Sequence, residues 1–125
     1  MNDLNVISGW IGILIGVLSG ALIGLRFGHE QWLGGYASWS RRMVRLGHIA
    51  FIGVGLLNLA YAITVGPLHW RGTPAMSISL ASANALMPAI CFLSAWKRSL
   101  VPLFCVPVGL ILFPTAGMLW MRLMP

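Results

Sequence analysis

Apolar positions along this chain fall in long unbroken runs, with neither the strict alternation of a half-buried strand nor the single stripe of a soluble helix. The first run extends from Val6 to Phe27, the second from Met43 to Gly66, the third from about Met76 to Trp96 and the fourth from about Leu100 to Met121. A helix needs about 20 apolar residues to cross the hydrocarbon core of a bilayer, so each run predicts one transmembrane span. The connections are short except for Gly28 to Arg42. The expected fold class is an all-α integral membrane protein, one four-helix bundle over residues 1–125 with no soluble domain. The first run has no basic segment before it and no A-x-A site, and it reads as a retained helix rather than a cleaved leader. The two halves of the chain do not align, so no two-plus-two repeat of the transporter kind is expected.

Within the runs, small and polar residues recur at helical spacing. Gly12, Gly16, Gly20 and Gly24 stand at every fourth position of the first span, a small-xxx-small pattern that lets another helix approach to backbone contact. These four are the predicted helix-packing residues. In the second span His48, Phe51, Gly55, Asn58 and Ala62 alternate by three and four. The third span repeats the arrangement with Ser77, Leu80, Asn84, Met87, Cys91 and Ser94. Both faces are expected to point inward. At about 1.5 Å per residue, Asn58 lies roughly 20 Å beyond Arg45 and Asn84 roughly 20 Å beyond Lys97. The common depth predicts a hydrogen bond between the two amides.

Prolines and aromatics refine this picture. Pro88 should free the carbonyl of Asn84 and Pro114 that of Leu110, kinking both helices. Pro102 falls in a tolerated first turn, whereas Pro107 lies deeper and should distort the fourth span. In the longest connection Trp32, Tyr36 and Trp39 are spaced by four and three, which suits an interfacial helix. Gly34 and Gly35 weaken that pattern, and an irregular loop pinned by its aromatics is the alternative.

Composition agrees with four spans: hydrophobic residues make up 58% of the chain and charged residues 8%, against about 25% charged in soluble domains. The net charge of +6 orients the spans rather than binding nucleic acid, because no basic stripe or reading motif accompanies it. Arg26, Arg41, Arg42, Arg45, Lys97 and Arg98 fall on one side of the membrane and Arg71 and Arg122 on the other. Cytoplasmic loops carry the excess of cations, so both termini are expected to be extracytoplasmic, in a bacterial inner membrane. Trp32, Trp39 and Trp96 then line the inner edge, and Trp10, Trp70 and Trp120 the outer.

Candidate chemistry is sparse. Asp3 and Glu30 are the only acids and lie outside the spans, whereas ion- or proton-coupled transport needs an ionisable group within them. No catalytic constellation is present, and the protein is not expected to be an enzyme. His48, Asn58, Asn84 and Met87 are the candidate cofactor-binding residues, for haem b or a quinone headgroup. A second histidine within a span is missing, since His29 and His69 sit in loops on opposite sides, and methionine is the remaining sixth haem ligand. His48 has a simpler use, snorkelling to headgroups or bonding a neighbouring carbonyl. Cys91 and Cys105 fall at matching depth on neighbouring helices and are the candidate soft-metal ligands, with His48 as a third. Met118, Met121 and Met124 form a run that suits Cu(I). The leading expectation is a non-catalytic accessory subunit of a larger membrane complex, energy-transducing complexes being one such class. Its partners would be lipids and other subunits or further copies of itself. A haem-, quinone- or copper-binding module is the alternative, and a small transporter or channel the third.

Overall fold

The computed structural model describes residues 2–124, and among them every regular element is helical. Four α-helices follow one another: α1 (Asn2–Leu25), α2 (Trp39–Val65), α3 (Pro74–Trp96) and α4 (Cys105–Leu123). The fourth helical segment begins earlier, as a 3-10 stretch over Arg98–Phe104. All four segments are long and apolar enough to cross a bilayer, as expected of an integral membrane protein.

Helix α3 is the centre of the bundle. It packs against α1, α2 and α4, whereas the α4 backbone approaches neither α1 nor α2. Half of the α3 span is buried, compared with 11% of that of α4. Tyr61 of α2 and Met76 and Leu80 of α3 form a buried apolar cluster, with Val65, Ile111, Met118 and Met121 packed around it.

Caps set the boundaries more than hydropathy does. Helix α2 starts at Trp39, ahead of the apolar run, because the Ser38 hydroxyl accepts the Arg41 amide at 3.2 Å and so satisfies one of the first turn's orphan donors. Thr73 caps α3 in the same way, with Pro74 at the first helical position, where a missing N–H costs nothing. The last carbonyls of α3 take donors from the first turn of α2. Trp39 Nε1 donates to Ser94 O and Ser40 Oγ to Ala95 O, each at 2.7 Å. Pro107 does not distort its span. Because the α-helix begins only at Cys105, this proline stands in the first turn and the irregularity lies before it, in the 3-10 stretch holding Pro102. Pro114 is inside α4, and Ser79 Oγ donates at 2.9 Å to the Leu110 carbonyl that it frees.

The connection between α1 and α2 is irregular rather than an interfacial helix. It contains a single 3-10 turn, Trp32–Gly34, and Leu33, Gly34 and Gly35 all have positive φ. What organises it is Arg41, fully buried although charged. Its guanidinium donates to the carbonyls of Phe27, His29 and Glu30 and lies 3.8 Å from the Tyr36 ring centroid, with Phe27 and Trp32 also beside it. These carbonyls follow the C-terminal, negative end of α1, where a cation is favoured, and the aromatic faces add cation–π attraction. Arg41 therefore faces the protein and not the headgroups.

Candidate functional site

The inward polar residues meet partners on α1. Asn5 and Asn58 are both fully buried, and Asn5 Nδ2 donates to Asn58 Oδ1 at 2.8 Å and to the Ser77 carbonyl at 3.1 Å. The Ser77 hydroxyl donates in turn to Asn5 Oδ1. Asn58 Nδ2 donates to the carbonyls of Val54 at 3.0 Å and Leu80 at 3.1 Å. Every amide hydrogen and both amide oxygens are thereby used, as burial away from water demands. The expected pairing of Asn58 with Asn84 does not form. Equal distance from the loops put the two amides at one depth, but α1 packs on both α2 and α3 and supplies each amide with a separate partner.

Asn84 lies further from the termini, against Ser8 and Gly12. Its Nδ2 donates to the Ser8 carbonyl at 2.6 Å and to Ser8 Oγ at 3.2 Å, while its Oδ1 is buried without a donor. The close approach requires glycine, since a Cβ at position 12 would stand 2.5 Å from Asn84 Nδ2. Asn84 borders an open groove of about 460 Å³ between α1 and α3. Small residues form its floor (Ser8, Gly12, Ala81 and Ala85), and Ile7, Ile11 and Ile78 are among its walls.

Other glycines of α1 face α2. A Cβ on Gly16 would come within 2.5 Å of Ile52 Cγ1, one on Gly20 within 2.8 Å of His48 Nδ1, and one on Gly24 would meet nothing. Gly9 and Gly55, absent from the predicted set, form the tightest backbone approach, each with the other's carbonyl 2.8 Å from an added Cβ. His48 Nδ1 lies 2.7 Å from the Gly16 carbonyl, which assigns the proton to Nδ1 because the carbonyl only accepts. This is carbonyl bonding, not snorkelling.

The candidate cofactor residues are not brought together. His48 touches α1 at Gly16 and Gly20, Asn84 at Ser8 and Gly12, and Asn58 at Asn5, a spread of roughly 20 Å along that helix. Met87 is half-buried on α3. Cys91 is buried and Cys105 exposed, and no three His, Cys, Asp or Glu side chains converge among the described residues. Met118 and Met121 pack into the apolar cluster, whereas Met124 is exposed.

Asn5, Ser8 and Gly9 were the residues that sequence reasoning missed. Their signal is the extension of the glycine face toward the N-terminus, at positions 5, 8 or 9, 12 and 16, with only Asn5 ahead of the apolar run. No family model matches the chain, and neither does any curated protein or solved structure.

Proposed function

We propose that this chain is an accessory subunit of a larger complex in a bacterial inner membrane, and that it seats a transmembrane helix of another subunit in the groove between α1 and α3. The observation that carries this reading is Asn84 Oδ1, a buried amide oxygen without a donor beside a floor of small residues. Leaving such an oxygen unpaired costs about 1–3 kcal/mol, and lipid tails have no donor to offer. A neighbouring helix bearing a hydroxyl or amide supplies one once the Asn84 side chain turns toward the groove, and the small floor lets its backbone come close enough.

Co-purification in a mild detergent tests this. Ala85 is exposed at the groove, so Ala85→Trp fills the seat without entering the bundle. It should abolish recovery of a partner held at fixed ratio. Leu14→Phe, on an exposed position outside the groove, should leave recovery unchanged. Partner retention in Ala85→Trp overturns the assignment, and a quinone or other small amphiphile displaced by it instead would transfer the groove to the cofactor reading.

A further inference from the structure

At the end of the bundle where α1 begins and α4 finishes, a second site takes shape that is independent of partner docking. Its first half is a cavity of about 210 Å³ bordered by His69, Trp70, Arg71, Met118, Met121 and Arg122. Two guanidiniums and an imidazole share this small space, and neither of the chain's two acids borders it. The resulting positive potential favours an anion and opposes Cu(I) at Met118 and Met121.

The cavity is built rather than incidental. Pro67 ends α2, and the loop after it folds back on the helix end, with Leu68 N donating to Ile63 O at 3.2 Å and Trp70 N to Thr64 O at 3.1 Å. The return forces His69 into the left-handed region at φ 54°. Tyr61 pins the loop's far side through its hydroxyl, which donates to Thr73 O at 3.3 Å, and Gly72 leaves the room that this needs. Trp70 is thus held in place, and the Arg122 guanidinium lies 5.4 Å from its ring centroid.

The second half is a groove of about 310 Å³ between α2 and α4, whose backbones stay apart because α4 packs chiefly on α3. Trp70 and Met118 border both cavities, so the two adjoin. The groove runs along Leu57, Ala60, Thr64, Thr115 and Leu119. Both threonine hydroxyls are spent within their own helices, Thr64 on Ala60 O at 2.7 Å and Thr115 on Ile111 O at 2.8 Å. With both hydroxyl protons used, the groove is lined mainly by apolar side chains, which suits a hydrocarbon chain.

We infer that this paired cavity is a binding site for one anionic phospholipid, with the phosphate between Arg71 and Arg122 and an acyl chain in the α2–α4 groove. Charge complementarity selects the headgroup, and the adjoining apolar groove selects an amphiphile over a soluble anion.

Native mass spectrometry of the detergent-solubilised protein, titrated with phosphatidylglycerol or with phosphatidylcholine of the same chains, tests the inference. One phosphatidylglycerol should be retained about tenfold or more in preference to phosphatidylcholine. Arg71→Gln with Arg122→Gln should remove that preference, and Arg71→Lys with Arg122→Lys should largely keep it. Ala60→Trp, which fills the groove, should weaken phosphatidylglycerol binding. Arg26→Gln with Lys97→Gln, at the opposite end, should change nothing. Equal retention of the two lipids, or a preference that survives the double Gln change, overturns the site. Unchanged binding in Ala60→Trp, or displacement by millimolar inorganic phosphate, overturns the acyl-chain half and reduces the site to a phosphate pocket.

Discussion

At the scale of single residues, the buried amides separate structural from functional polarity. Asn5 and Asn58 are complete in themselves, each hydrogen bond answered within the bundle. We expect Asn5→Leu or Asn58→Leu to destabilise the bundle by on the order of 1 kcal/mol, because the surviving partner keeps an unmet group where no water reaches. The double change should cost less than the sum of the two, since their coupling is lost only once. Denaturant unfolding in micelles measures this, and strictly additive costs would refute the pairing. The inward position of Asn58 was legible from its three-and-four spacing. Its partner was not, because Asn5 precedes the apolar run and helical periodicity carries no information about the register between helices. Arg41 shows a related gap: a count of cations assigns it to the headgroups, whereas the carbonyls of Phe27, His29 and Glu30 withdraw it into the loop.

At the scale of the elements, the glycines of α1 do not act alike. Gly16 lies against Ile52 and has no room for a side chain, while Gly24 faces open space. Gly16→Leu should overpack the interface between α1 and α2 and cost roughly 1–3 kcal/mol. Gly24→Ala should be neutral or stabilising by up to about 1 kcal/mol, the helix-propensity difference. Thermal unfolding of the two variants decides, and equal tolerance would show that α1 does not pack closely on α2. Four apolar runs marked the four helices because hydrophobic length is a property of the sequence itself. Their ends were less legible. Ser38 starts α2 before the run does, and the 3-10 path over Arg98–Phe104 moves Pro107 from a helix interior to a first turn.

At the scale of the whole molecule, α3 is enclosed on three sides while α1 and α4 present most of their surface outward. Four crossings would put both chain ends on one side of the membrane. Met1 and Pro125 lie outside the described residues, but the cation excess at the opposite end predicts that reporter fusions at both termini give an extracytoplasmic signal. A cytoplasmic signal at either end would contradict that orientation. Between α1 and α3 lies the groove floored by Gly12, Ala81 and Ala85, the proposed seat of another subunit. Photocrosslinking in native membranes tests it most directly, with a photoreactive residue at Ile11 in the groove wall and a control at the exposed Leu14 outside it. Ile11 should yield one discrete heteromeric adduct, mapped to a transmembrane segment of the partner and lost in Ala85→Trp, while Leu14 yields only lipid. Lipid adducts alone from Ile11, or an adduct only with a second copy of this chain, would contradict it.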